Sequence, residues 1–200
     1  MRVDFLYFHS HPYTPPEAQK KVEDLAAILA QYGMRLVMHI VSFTDVQMRI
    51  KQKGPENWAT MLLRMCMMKA ASMIAKETRA ACLISGESLG QVASQTIENL
   101  RVTESAGSFP LLRPLIGMDK EEIIETAIKI GTYETSILPY EDCCVLFAPQ
   151  HPVLRAGIKE AHELYENLEC GPLIEKAVQE REVKIFTAHP DEDINPDIKL

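Results

Sequence analysis

Short apolar runs alternate with amphipathic helical stretches along most of this chain, and that alternation dictates an α/β fold on a parallel sheet. Residues 2–8 read as a buried strand. Thr14, Pro15, Pro16 and Glu17 follow as a capping box with proline in the first helical turn. Val22, Leu25, Ala26, Ile28 and Leu29 give that helix its apolar face, and Gly33 ends it. Residues 35–43 form a second strand, and a short helix from Thr44 stops at Gly54-Pro55. The longest helical pattern, 57–77, carries Met61, Leu62, Met65, Met68 and Ile74 as a packing stripe. Residues 79–84 and 111–116 read as further strands, the latter held to an end or an edge by Pro114. Between them, 85–96 reads as a glycine-containing turn running into a helix. Another helix opens at Asp119 and closes at Gly131. Helices over 155–168 and 173–181 and a strand over 183–186 complete the pattern, and 187–200 is an acidic tail.

Charge narrows the function. With 21 Lys and Arg against 28 Asp and Glu, the net charge is −7, and no basic run occurs. Affinity for nucleic acid comes largely from neutralising phosphates. These residues alone should therefore bind RNA weakly. No apolar run approaches the roughly 20 residues that span a bilayer. The sequence Met1-Arg2-Val3-Asp4 does not resemble a secretory signal, so a cytoplasmic location is expected. Five cysteines agree with reduced thiols rather than a disulfide framework. Cys66 and Cys82 are expected to be buried packing residues, and Cys143, Cys144 and Cys170 are open. No histidines or cysteines show metal-ligand spacing. His9 and His11, in a proline-rich loop, are expected to be solvated.

In a parallel sheet, ligands bind beyond the carboxyl ends of the strands. Three segments qualify: 7–13, 85–96 and 140–145. The second, SGESLGQVASQT, offers Gly86 and Gly90 for close backbone approach, with a following helix to aim N–H groups at an anion.

That string, together with Phe8-His9-Ser10, Pro12-Tyr13-Thr14, the run from Arg113 to Glu122, and Pro139-Tyr140-Glu141-Asp142-Cys143-Cys144, resembles the tRNA 4-thiouridine sulfurtransferase family. This family is also known as the thiamine-biosynthesis sulfurtransferases. The resemblance runs from about residue 3 to 186. It implies a three-layer sandwich of the PP-loop ATP pyrophosphatase (HUP-like) type, as one partial adenylation domain over 1–186. It also implies the activity: adenylation of a tRNA uridine with ATP and Mg2+, then replacement of the activated oxygen by persulfide sulfur. The nucleotide would contact Tyr7, Phe8, Arg64, Gly86 and Gln95, with Arg64 taking phosphate or tRNA. Cys143 or Cys144 would carry the sulfur, although Glu141 and Asp142 disfavour a thiolate beside them.

The sequence departs from the family pattern in one respect. No SGGxDS-type pyrophosphate loop occurs in it. That loop and its strand would lie upstream of Arg2, the strand flanked by the first and fourth visible strands. The tRNA would be held mainly by an N-terminal THUMP region. Sulfur would come from a cysteine desulfurase or a persulfide carrier, with a sulfur-carrier protein of thiamine synthesis as a second outlet. The expectation is a catalytically incomplete piece, completed by another copy in a homodimer or by another polypeptide. The alternative is a truncated nucleotide-binding remnant or one half of a split enzyme.

Overall fold

The structure, a computed structural model, describes residues 2–32, 35–140 and 149–188. In chain order the elements are β1 (Asp4–His9), α1 (Pro16–Ala30), β2 (Leu36–Ser42), α2 (Thr44–Lys53) and α3 (Ala59–Thr78). Next come β3 (Leu83–Ile84), α4 (Ile97–Ser105), β4 (Leu111–Leu112), α5 (Lys120–Lys129) and α6 (Tyr133–Ser136). The last described elements are α7 (Ile158–Leu168), α8 (Gly171–Gln179) and β5 (Glu182–Phe186). The alternation of strand and helix is therefore real, and the class is α/β.

β1 and β2 pair in parallel, with Tyr7 opposite Ile40 and Phe8 opposite Val41. Because side chains alternate across a strand, β1 feeds two layers. Phe5 and Tyr7 join Val22 and Ala26 of α1, with Met38 and Ile40 of β2, on one face. Leu6 and Phe8 join Val41 and the apolar side of α3 on the other. This is the helix–sheet–helix sandwich expected. α3 anchors it: Met61, Leu62, Met65, Met68 and Ile74 are all buried, as the stripe required. Leu83 of β3 and Leu111 of β4 pack on the same core as Leu6 and Phe8, so one core runs beneath both sheets.

The described strands form two sheets, β1-β2-β5 and parallel β3-β4, so β1 and β4, the expected flanks of a further strand, are not paired with each other. Three details differ from expectation. β5 runs antiparallel to β2, which the apolar pattern alone could not distinguish from parallel. The capping box at Thr14 does not form: Pro15 is the N-cap, without a side-chain bond. The Thr14 hydroxyl instead accepts from the Ser10 N–H at 3.0 Å, folding the chain tightly after β1. Finally, Cys82 is only half-buried, although Cys66 is fully enclosed.

His39 of β2 is buried, and Arg181 Nε donates to its Nδ1 at 3.3 Å. Burial, and then the Arg181 guanidinium, lower its pKa below 6.5, outweighing the opposing carboxylates of Asp4 and Glu77. Native His39 is therefore neutral at pH 7, while the unfolded chain binds a proton more readily. The sign follows by linkage: His39's contribution is intact above about pH 6.5 and is lost as pH falls below it. The urea midpoint should fall from pH 7 to pH 5. His39→Leu should flatten that fall, as measured by circular dichroism.

Candidate nucleotide and thiol site

The turn after β3 is the best-built part of the site. Glu87 is almost wholly enclosed, with a side chain only 5% exposed, and its carboxylate is shared by two arginines from distant elements. Arg64, on the first half of α3, bonds Oε1. Arg113, just after β4, donates from Nε to Oε2 at 2.7 Å, and Ser85 Oγ donates to the same oxygen at 2.8 Å. Arg113 continues outward to Glu104 Oε2 at 2.8 Å and to the Leu100 carbonyl at 3.2 Å, both on α4. One carboxylate thus ties α3, α4 and the ends of β3 and β4 around Gly86. A buried charge is tolerated only when paired and hydrogen-bonded, and here it is.

The neighbouring residues are fixed by the strand-end run that begins at Arg113. Ser88 Oγ donates to the Met118 carbonyl at 2.9 Å, and the Leu89 N–H donates to the Ile116 carbonyl at 3.1 Å. Gly90 takes the left-handed conformation, φ +75°, which favours glycine. Its N–H reaches the Gln95 carbonyl at 2.9 Å. Gly86 is different. A Cβ built there meets nothing nearer than Leu115 Cδ1 at 3.9 Å. The fold itself has no need of glycine at 86.

The helix expected to begin directly behind the glycines does not. A single 3-10 turn, Ala93–Gln95, intervenes, and α4 starts only at Ile97 with Thr96 as its cap. The free N–H groups at the start of α4 therefore sit past Thr96, displaced from Gly86. Gln95, which belongs to that 3-10 turn, has a buried Oε1 with no donor among the described residues. An orphaned buried acceptor carries a desolvation cost unless something donates to it.

At the end of β1, Tyr7 is buried against α1, while Phe8 packs on Phe43 with ring centroids 4.5 Å apart. Both side chains are spent on the core, so what they can offer a ligand is backbone. β1 pairs with β2 along one side, and no described strand pairs along the other. Just beyond, Ser10 is fully buried and its Oγ has no partner among the described residues. Sequence reasoning passed over Ser10, although it lies in a matched string. His9 is half-buried, and burial followed by the nearby His11 lowers its pKa, which corrects the expectation of a solvated ring. His9, His11, Thr14, Gln19 and Glu23 line a cleft of about 350 Å³ at this strand end.

Cys143 and Cys144 lie outside the described residues, as does the span 141–148 around them. Its two anchors are described. Lys21 Nζ on α1 donates to the Tyr140 carbonyl at 2.7 Å. On the other side, Asn99 of α4 is fully buried and acts as a three-way tie. Its Nδ2 donates to the carbonyls of Ala93 and Val153, both at 2.8 Å, and its Oδ1 accepts from the Ala156 N–H at 3.0 Å. Thr96 Oγ1 adds a bond to the Leu154 carbonyl at 2.7 Å. Tyr140 is thus held by α1, and residues 153–156 are held by Thr96 and Asn99 beside the turn that carries Gln95. Asn99 gave no sequence signal beyond being an asparagine in a helix's first turn.

Arg64 and Gly86 are therefore brought together through Glu87, and Gln95 is joined to them through Gly90. Among the described residues no group of three His, Cys, Asp or Glu could hold a metal ion, and no helix is long and apolar enough to cross a membrane.

The chain is similar to curated proteins over nearly all of its length. A probable tRNA sulfurtransferase of Treponema pallidum (strain Nichols) is 59% identical over 181 residues, covering 90% of this chain and 45% of the relative. One from Caldanaerobacter subterraneus is 49% identical over 180 residues, covering 90% of this chain and 47% of the relative. The chain thus spans about half the length of the curated relatives it matches. A crystal structure of a 4-thiouridine synthetase–RNA complex with bound ATP superposes with a TM-score of 0.87 at 39% identity, covering 92% of this chain and 49% of the other. The profile of the thiamine biosynthesis protein (ThiI) family matches residues 1–170, and the chain belongs to that family.

Proposed function

We propose that this chain supplies the adenine-nucleotide face and the reactive thiol of a tRNA sulfurtransferase that makes 4-thiouridine with ATP. One observation carries the reading furthest. The turn at Gly86 is immobilised on both flanks, yet Gln95 on that same segment keeps a buried acceptor without a donor. A rigid cradle with one unmet hydrogen bond suits a ligand bearing an N–H donor, such as the adenine amino group. Ser10 Oγ, at the end of β1, is a second unmet group.

The chemistry proceeds in two stages. The uridine oxygen attacks the α-phosphorus of ATP and pyrophosphate leaves. The oxygen, now an ester of AMP, is a good leaving group. The outer sulfur of a persulfide then adds at the same ring carbon and AMP departs, leaving the base joined to the protein cysteine by an S–S bond; a second thiol attacks the cysteine Sγ, the 4-thiouridine sulfur leaves, and a disulfide remains that a thiol reductant resets. Tyr7 and Phe8 contribute strand-edge backbone, and Gly86 allows close approach. Arg64 acts through Glu87, holding the turn rather than carrying a free charge. Cys143 bears the sulfur, delivered as a persulfide by a cysteine desulfurase or its carrier. Mg2+ enters on the ATP phosphates. The same persulfide could feed a sulfur-carrier protein of thiamine synthesis.

Completion by a further segment belongs to this reading. Ile84 and Leu112, cross-strand partners on the outer face of β3-β4, are 48% and 51% exposed. No described strand pairs with β1 along its other side. A strand flanking β1, with a helix over Ile84 and Leu112, would bury both features. That strand carries the pyrophosphate loop. The −7 charge agrees with tRNA being held mainly elsewhere.

Mass spectrometry of nucleosides tests the proposal. This chain, supplemented with the SGGxDS-bearing region of a curated relative, tRNA, ATP with Mg2+, a desulfurase with free cysteine, and a thiol reductant, should give 4-thiouridine. Omitting ATP should abolish the product. Thiolation without ATP, or none with every component present and the chain folded, would overturn it. Gly86→Ala refines the test. The fold has room for the methyl, so the melting temperature should hold or rise slightly, by up to about 1 kcal/mol of stability. The KM for ATP should rise about tenfold, because the methyl blocks backbone approach.

A further inference from the structure

α1 buries Ala18, Lys21, Ala26 and Ala30, and only Lys21 among them carries a charge. Lys21 is 9% exposed, and its Nζ donates to the Tyr140 carbonyl at 2.7 Å, across 119 positions of chain. The neighbouring acids of α1 are spent on other cations: Glu23 takes Lys184 at 2.7 Å, and Asp24 takes Lys20 at 2.6 Å. No described carboxylate lies within ion-pair distance of Lys21. A lysine ammonium carries three N–H donors, and among the described residues this one meets a single acceptor, a neutral carbonyl. Burying a charge costs stability unless an opposite charge answers it. A methionine would fill the same space without that cost. Packing therefore does not account for the lysine.

What it holds does. α6 packs against α1, and the chain beyond α6 is braced locally. The Ile137 N–H donates to the Tyr133 carbonyl at 3.1 Å, and the Tyr140 N–H to the Leu138 carbonyl at 2.8 Å. Glu141, Asp142 and Cys143 follow in sequence. Successive Cα atoms are 3.8 Å apart, so Cys143 lies no farther than about 11 Å from Tyr140. The two acids disfavour an anionic sulfur beside them, and a nearby cation offsets that effect.

We propose that Lys21 is a positioning residue for the sulfur step, acting through the Tyr140 carbonyl. Its bond fixes the residue from which the Glu141-Asp142-Cys143 string follows, and its charge sits close to a stretch that is otherwise negative. This inference rests on the sulfur-transfer reading. Adenylation does not call on Lys21, because the nucleotide contacts lie at the end of β1 and at the turn of Gly86.

Lys21→Met separates this role from a structural one. In the complemented system, its rate of 4-thiouridine formation should fall about 100-fold, the usual result of misplacing a reacting group by about an ångström. Single-turnover pyrophosphate release and the KM for ATP should stay within about twofold of wild type, as expected when only the second step is touched. The urea midpoint of the variant, followed by circular dichroism, should equal or exceed that of the wild type, because the buried charge is gone. Lys21→Arg keeps a cationic donor and should recover about tenfold or more of the lost rate. Thiolation by Lys21→Met at the wild-type rate overturns the proposal. So does an equal fall in pyrophosphate release, or a lowered urea midpoint, which would make Lys21 a structural residue. Absence of 4-thiouridine from the folded wild type would instead sink the sulfur-transfer reading, and this inference with it.

Discussion

Glu87→Ala is expected to cost about 3–5 kcal/mol of unfolding free energy, a large share of what a domain of this size possesses. The carboxylate is enclosed, and its two partners, Arg64 and Arg113, are only 19% and 12% exposed along their side chains. Removing it leaves two guanidinium groups facing each other with little water to screen them. Glu104, half exposed, can satisfy only the outer side of Arg113. Glu87→Gln keeps the shape and some hydrogen bonds but not the charge, and should fall between alanine and wild type. Replacing Glu87, Arg64 and Arg113 together by leucine should recover much of the loss, because apolar groups of similar volume need no partner. The same triple variant should still fail to bind ATP, since the rigid placement of Gly86 is gone. Urea unfolding followed by circular dichroism, beside ATP titration, separates these outcomes. A Glu87→Ala loss below about 1 kcal/mol would mean that the bridge is an ordinary surface pair.

Cys143→Ser should lower 4-thiouridine formation by about 10³-fold or more in the complemented system, with pyrophosphate release from ATP retained. Serine can neither carry a persulfide nor offer a thiolate at neutral pH, whereas adenylation needs no thiol. Cys144→Ser should leave thiolation near the starting rate. The contrast between two adjacent cysteines isolates the sulfur step from folding, because each variant removes one sulfur from the same span. Equal losses in both variants would mean that neither acts alone. Undiminished thiolation in Cys143→Ser would remove that residue from the mechanism.

Much of this architecture could be read from pattern alone, and the rest could not for physical reasons. The 3.6-residue spacing of Met61, Leu62, Met65 and Met68 announces α3 because one face of a long helix must be buried. Strand β1 and its neighbour β2 are continuous apolar runs of the kind that a sheet covered on both sides requires. Strand direction is a long-range property, so the antiparallel β5 left no local signature. Thr14 misled because a hydroxyl before proline can cap a helix or close a turn, and the Ser10 N–H won. The start of α4 slipped to Ile97 because Thr96 is the better cap for it. The site was legible as strings but not as contacts. Glu87 meets partners 23 and 26 residues away, and Asn99 reaches 54 and 57 residues along the chain.

The central claim is that adenine nucleotide sits between the end of β1 and the turn that carries Gly86 and Gln95. Photocrosslinking with 8-azido-ATP, followed by peptide mapping, addresses it without requiring turnover. Label should appear in the peptides spanning 5–14 and 85–99 and disappear when unlabelled ATP is in excess. Competed label confined to other segments would contradict the account.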